Sequence, residues 1–380
     1  MSQRIEGYIL AQSPIHQTQP LVEGFVDWRP EDSAPRLVYS DRSRGRCQVM
    51  MSESLFTPEG RRISSPIIAG NSLRGVLRRA ATRALLTAIG QPVRPELFQV
   101  LSAGAFHRKD MGGIKSADML NGAAKNVFVG LFGGGGASFP SGYTATDMRP
   151  VSSNTAHLLP AWVVDEAGVA KGARTDEGTG EVKTFDQSFL RIYATIRRDP
   201  MMQGEGVSFV HQHDQVYAER MKEMVATKAK TKAKKADAGD DDTQVDSIIN
   251  LAMMSYVQAI VPGVPLSFSL QFRRWTTDEQ IGLALIALED MVNAQALGGA
   301  SRRGFGRFKP VLKLWVDSQE QAVPVFNAVE VSGSVDHYEL SDVARGYADA
   351  ARAAMEQVTI AELEDLFITT EAKSAAAEAA

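Results

Sequence analysis

Leu266-Ser267-Phe268-Ser269-Leu270-Gln271-Phe272 alternates apolar and polar side chains without a break. That is the signature of a strand with one face in a core and the other turned away from it. The alternation predicts a strand over residues 264–275. From about Asp278 to Ala296 the apolar residues recur at helical spacing, Gly298-Gly299 interrupts them, and Phe308 to Val316 alternates again. The order is strand, helix, strand, with a glycine break between the last two.

The first part of the chain supplies a matching pair. Arg4 to Ala11 carries Ile5, Tyr8 and Ile9 among polar neighbours and ends before Ser13-Pro14, as a first strand does. Leu73, Val76, Leu77, Ala80, Ala84, Leu85 and Ala88 then recur at three- and four-residue spacing. They predict a helix with Asn71 or Ser72 as N-cap and a stop at Gly90, with Pro92 just beyond. Two strand-helix halves make an α+β protein with a split βαβ, ferredoxin-like core interrupted by large insertions.

The core is expected in residues 1–100 and 250–320. The stretch from Gln17 to Arg62 reads as a long loop or insertion ending at Ile63 to Ile68, and residues 104–150 hold too many glycines for mainly regular structure. Residues 101–220 form an insertion. Short apolar runs at Leu158 to Val164, Phe189 to Ile196 and Val207 to Val210 predict an inserted β-hairpin subdomain over Val151 to Tyr217. Residues 221–247 form a flexible Lys/Ala/Asp linker, and 321–380 a C-terminal helical region with a frayed acidic tail.

The chain has 380 residues, 44% hydrophobic, and a net charge of -4. Seven acids against three bases between Arg345 and Ala380 account for that charge, so residues 1–344 are neutral, with 38 of each sign. Charge distribution therefore says more than the total. Basic charge gathers in Arg42, Arg44 and Arg46, in Arg74, Arg78, Arg79 and Arg83, in Arg302, Arg303 and Arg307, and in the Lys228 to Lys235 cluster. The single cysteine, Cys47, excludes a disulfide framework and a Cys-based zinc site. Neither a signal pattern nor a bilayer-length apolar run is present, so a cytoplasmic protein is expected.

Nucleotide hydrolysis has no support in the motifs. Gly133 to Gly136 lacks the Gly-Lys-Ser/Thr ending of a P-loop, and no Gly-x-Gly-x-x-Gly opens a helix after a strand. His211 and His213 have no partners at metal-ligand spacing, Asp240 to Asp242 reads as a solvated charge run, and Cys47 lacks a His partner. No cofactor and no metal are expected. The basic segments offer more. A helix start at Asn71 and Ser72 presents N–H groups and the positive end of a dipole, and Arg74 and Arg78 extend that field along one face. Gly298 to Phe308 interleaves Arg302, Arg303 and Arg307 with glycines and Phe305, which lets a backbone approach a phosphate chain closely.

Together these two segments resemble the RAMP superfamily of CRISPR proteins. Its members carry a Ser-Leu-Arg-Gly-x-x-Arg-like helix start in the first half and a glycine-rich loop near the second. Asn71-Ser72-Leu73-Arg74-Gly75-Val76-Leu77-Arg78 and Gly298-Gly299-Ala300-Ser301-Arg302-Arg303-Gly304-Phe305-Gly306 match in type, order and separation. Asn126-Val127-Phe128-Val129-Gly130-Leu131-Phe132-Gly133 is similar to the Leu-Phe-Gly stretch of the superfamily's backbone subunits.

The resemblance implies a modified RNA-recognition-motif core and a backbone subunit, most like that of type IV, that coats the guide portion of CRISPR RNA. It further implies head-to-tail stacking of copies of the chain and a β-hairpin thumb, placed here in Val151 to Tyr217. Its implied RNA contacts are Asn71, Ser72, Arg74 and Arg78, then Gly299, Ser301, Arg302, Arg303, Phe305 and Arg307, with Arg42, Arg44 and Arg46 added. Other effector subunits and, through the guide, a target strand complete the implied partners; no membrane is among them. A non-enzymatic role is expected. The alternative within the superfamily is a ribonuclease, using Asp27, Asp32 or Asp41 in the loop after the first strand, or His16 as general base.

Overall fold

The computed structural model describes residues 3–18, 47–104, 116–134, 139–169, 173–175, 182–184, 189–198, 222, 252–295, 297–299, 301–316 and 322–367. The chain divides into two compact units, one of residues 1–31, 49–191 and 258–380, the other of 32–48 and 192–257.

The larger unit is built on an antiparallel sheet. Strand β1 (Arg4–Ala11) lies at its centre. Its neighbours come from far along the chain, so the strands are named here in chain order: β2 (Cys47–Gln48), β3 (Ser52–Phe56), β4 (Arg62–Pro66), β5 (Tyr143–Ala145), β6 (Arg149–Pro150), β7 (Ala173–Thr175), β8 (Val182–Thr184), β9 (Leu190–Arg198), β10 (Ala252–Ile260), β11 (Pro265–Phe272), β12 (Phe308–Trp315) and β13 (Val323–Pro324). The sheet runs β13-β12-β1-β11-β5, with β6 also on β11. Taking β1, the β5/β6 edge, β11 and β12 as strands one to four, the order is 4-1-3-2 with antiparallel neighbours, the split βαβ arrangement. Ile5 stands opposite Leu270 and Leu314, and Tyr8 opposite Ser267 and Val311, so β1 sends alternate side chains to two different surroundings.

Two long helices cover one face. Helix α1 (Gly70–Ile89) buries Leu73, Leu77, Ala80, Ala81 and Leu85, and ends at Gly90, whose φ of 67 is the left-handed conformation glycine adopts at low cost. The others in chain order are α2 (Pro95–Ala103), α3 (Ala117–Lys125), α4 (Val129–Phe132), α5 (Ala161–Ala167) and α6 (Asp278–Ala294). Thr277 and Gln280 form a capping box at the start of α6, and Leu283, Ala287, Leu288 and Met291 are buried along it. Leu266, Phe268, Leu270 and Phe272 of β11 meet both helices in one continuous core that includes Ile5, Leu77 and Leu285.

Several elements differ from those the sequence pattern predicts. Residues 52–66 form a hairpin, β3 with β4, turning at Thr57 to Arg61, where a long loop was expected. The glycine-rich stretch contains α3, α4 and the β5/β6 edge. There Gly130 allows close approach, since a Cβ would lie 2.1 Å from the Gln280 amide. Leu158 to Val164 is a turn leading into α5, which lays Val163 against Tyr8 and Val151. Its apolar run reads equally as strand or helix, and the short helix is what packs.

In the C-terminal part, a hairpin of β14 (Phe326–Val331) and β15 (Ser334–Leu340) precedes helices α7 (Asp342–Glu356) and α8 (Ile360–Phe367), where helix alone was expected. Its tip turns on Ser332 and Gly333, both with positive φ, the geometry that matches the twist of paired strands. In the expected thumb region, β7 pairs with β8. Strand β9, which takes in Leu190 to Ile196 of the expected run, joins β10 and β2 in a separate three-stranded sheet. Val207 to Val210 and residues 223–247 lie outside the described residues, as does residue 221.

Candidate nucleic-acid interface

The two arginine-and-glycine segments meet through Gln12 to Thr18, the residues that follow β1. The His16 carbonyl accepts the Gly299 N–H at 2.7 Å, and the Pro14 carbonyl accepts Gly306 N–H at 2.9 Å. Ser13 Oγ accepts Arg307 N–H at 2.8 Å, while the Arg307 carbonyl accepts from Gln12 and Ser13. On the other side Gln17 Oε1 accepts the N–H of Ala69, the residue that opens α1, at 2.9 Å. Because His16 and Gln17 are consecutive, the Gly299 and Ala69 amides lie within about 15 Å of each other. Segments more than two hundred residues apart in sequence thus share one edge of the fold.

Glycine is required in the loop for a specific reason. Gly298 has a φ of 81, and a Cβ there would fall 2.3 Å from the His16 carbonyl oxygen; Gly306 has a φ of 90, and its Cβ would fall 2.4 Å from that of Leu297. These contacts clamp both ends of the loop on the backbone. Between them a short turn, Ser301–Arg303, projects outward. Ser301, Arg303 and Arg307 are exposed, Arg302 lies in the same turn, and Phe305 is buried as the loop's anchor.

The four arginines of α1 do not form one stripe. Arg78 is buried, and its guanidinium donates to four carbonyls: Leu101 at 2.6 Å, Val100 at 3.0 Å, Gly133 at 3.1 Å and Phe132 at 3.3 Å. It also lies against the Phe128 and Phe132 rings. Burial pulls its pKa down to about 10. Its donors close the C-terminal end of α2 and fix the turn after α4, so Arg78 is a structural residue and not the phosphate contact the pattern predicts. Arg83 pairs with Asp290 of α6. Arg74, half-buried, sits over the ring of Tyr143 at 5.5 Å from its centroid, and Arg79 is exposed. Burial pushes the Tyr143 phenol up to about 12, with the Arg74 and then the Arg78 guanidinium pulling the other way.

The helix start is also different from the expected one. Ala69, not Asn71 or Ser72, is the N-cap, and no side chain of its own closes the turn. Instead Asp147 Oδ1 accepts Gly70 N–H at 2.7 Å, with Arg149 near its other oxygen at 3.7 Å and Glu53 on the same guanidinium. A carboxylate therefore already occupies part of the anion-attracting end of α1. Asn71 and Ser72 remain exposed beside it as neutral polar groups. Gln17, Asp147 and Ser13, which position the interface, escape sequence reasoning because each acts through one long-range hydrogen bond with no local pattern.

Arg42, Arg44 and Arg46 lie outside the described residues, as do Asp27, Asp32 and Asp41. His16 is buried: Nδ1 lies 2.7 Å from the Gln258 carbonyl and Nε2 2.9 Å from Thr18 Oγ1. A carbonyl needs a donor, so Nδ1 carries the proton and Nε2 accepts from the hydroxyl. Desolvation lowers the pKa of the ring, against the pull of the Gln258 carbonyl. Among the described residues, no cluster of His, Cys, Asp and Glu could hold a metal ion, and no helix is long and apolar enough to cross a membrane.

No protein-family model matches the chain, and neither does any curated protein sequence. Among solved structures it is similar to a chain titled "Type IV-B CRISPR Complex", at 13% identity and a TM-score of 0.44 over 84% of this chain and 94% of that one. At that identity and score the likeness carries no functional argument.

Proposed function

We propose that the chain is a backbone subunit of a type IV-like CRISPR effector, coating the guide portion of CRISPR RNA and presenting its bases for pairing with a target. The observation that carries the reading is the junction at His16 and Gln17, which brings the resembling glycine-rich loop and α1 motif to one edge of a ferredoxin-like sheet. A backbone clamped at both ends holds Arg303 and Arg307 outward, and Arg74 and Arg79 extend the positive field along α1. Guanidinium groups on a fixed edge suit phosphates, which set register without reading sequence. Guide pairing then supplies the specificity.

In this proposal β9, within the expected thumb region Val151 to Tyr217, and its partner β10 belong to the thumb, and copies stack head to tail along the guide. The role is binding without cleavage; His16, with both ring nitrogens engaged and its ring buried, is poorly placed to take a proton from a ribose hydroxyl. The test is fluorescence anisotropy of a labelled guide RNA against the purified chain over a range of salt. Replacing Arg303 and Arg307 by Ala should weaken binding and lower the salt slope by about one per lost phosphate contact. Unchanged affinity and slope would remove the loop from the interface.

A further inference from the structure

Helix α1 runs along β5 with their spacings matched. Gly70 lies against Ala145, where a Cβ would fall 2.4 Å from the Ala145 carbonyl oxygen, and Arg74 lies over the Tyr143 ring. Four residues of helix rise about 6 Å and two of strand about 6.6 Å, so both contacts form together. One turn further on, Arg78 meets the Phe132 ring, which in turn meets Tyr143 edge-on, with centroids 5.7 Å apart and planes at 87°. Gly70, Arg74 and Arg78 thus make one row on α1, and Tyr143 supports its middle member.

Tyr143 is held firmly. The Leu131 carbonyl accepts from Gly142 N–H at 2.9 Å, and the Gly142 carbonyl accepts from Arg273 N–H at 2.8 Å and from Thr276 Oγ1 at 2.6 Å. Phe272 stands opposite Tyr143 in the sheet, its ring 6.3 Å away. The side chain is 1% exposed, yet among the described residues no group meets its hydroxyl in the geometry of a formed hydrogen bond. A buried hydroxyl left this way costs free energy that a phenylalanine would not, so its presence calls for a reason. The Arg74 guanidinium is close enough to pull the phenol's pKa down, by charge and as a donor, against the push of burial. Arg74 itself has no carboxylate partner among the described residues.

We infer that Tyr143 is a positioning residue for Arg74: its ring is a shelf and its hydroxyl oxygen an acceptor that together turn the guanidinium's other donors toward a phosphate. This role rests on the proposed function, in which α1 contributes to a phosphate-binding edge, and assigns the aim of Arg74 to a buried side chain. A planar guanidinium held on a fixed ring loses less freedom on binding than a free surface arginine. One N–H turned to the phenol leaves four others for the ligand.

The experiment titrates the full chain with a fluorescein-labelled single-stranded RNA, read by anisotropy, and with inorganic tripolyphosphate, read by calorimetry. Tyr143→Phe keeps the ring and the core volume, so its Tm should equal or exceed that of the parent chain. It should weaken RNA binding about two- to tenfold with the salt slope unchanged, whereas Arg74→Met lowers the slope by about one. In the Arg74→Met background Tyr143→Phe should have no further effect, which a merely structural role would not reproduce. If Tyr143→Phe binds both ligands as the parent does, or weakens them equally with and without Arg74, the positioning role is overturned. If the parent takes up no RNA but Tyr143→Phe weakens tripolyphosphate binding only when Arg74 is present, the role stands and the RNA-coat reading falls. A parent chain that binds neither ligand overturns both.

Discussion

Arg74 and Arg78 sit one helical turn apart and look alike in sequence, yet the structure gives them opposite roles, which replacement by Met should separate. Arg78→Met keeps most of the apolar stem against Phe128 and Phe132 and removes the guanidinium. The carbonyl of Val100 keeps its bond from Gly104 N–H, but those of Leu101, Phe132 and Gly133 lose the guanidinium in a buried setting. Each such group costs roughly 1–3 kcal/mol. Relief of the guanidinium's own desolvation, visible in a pKa of about 10, offsets part of the loss. The net destabilisation is about 3–5 kcal/mol, comparable to breaking other buried charge arrangements. For a chain of this size that is a Tm lowered by roughly 4–6 °C.

Arg74→Met removes the same charge from a half-buried position and should change stability by less than about 1 kcal/mol while weakening RNA binding. Paired urea melts and anisotropy titrations decide the matter. An Arg78→Met protein of unchanged stability that has lost RNA binding would refute the assignment.

Gly298→Ala and Gly306→Ala place a Cβ in a left-handed backbone and against a carbonyl, so each should cost at least about 1–2 kcal/mol and displace the arginine turn. Both would lower Tm and RNA affinity together, whereas Gly304→Ala, with open space around it, should show the smaller backbone strain alone. His16 is held neutral, its folded pKa below the ordinary 6.5. Its contribution to stability is therefore complete above about pH 6.5 and is lost as pH falls toward the depressed value. A Tm profile from pH 8 to 5 should decline less steeply in His16→Gln than in the parent chain.

The sheet core was legible because its pattern is redundant: Leu266, Phe268, Leu270 and Phe272 all vote for the same face, and β1 and α1 end close to their turn signals. Arg78 was misread although a clue existed. Ala81, Thr82 and Leu85 follow it at three, four and seven residues and are all buried, so position 78 belongs to the inner stripe of α1. Strands β3, β4 and β10 were missed because Ser-rich and mixed segments show weak alternation, and hydrogen bonds to distant partners decide their pairing. Of the interface, residue types and order could be read locally. The clamp by Ser13, Pro14, His16 and Gln17 could not, since two of its acceptors are backbone carbonyls and the other two are single side-chain oxygens, none of which leaves a trace in the apolar pattern.

The central claim is that the chain coats RNA, and the most direct test is what accompanies it when it is purified alone at moderate salt. Absorbance at 260 and 280 nm, nuclease digestion and particle mass would be read on the same preparation. The account predicts nucleic acid sensitive to RNase in a particle of many copies, which falls apart on digestion. A monomer with a protein-like absorbance ratio that takes up no added guide RNA would contradict it.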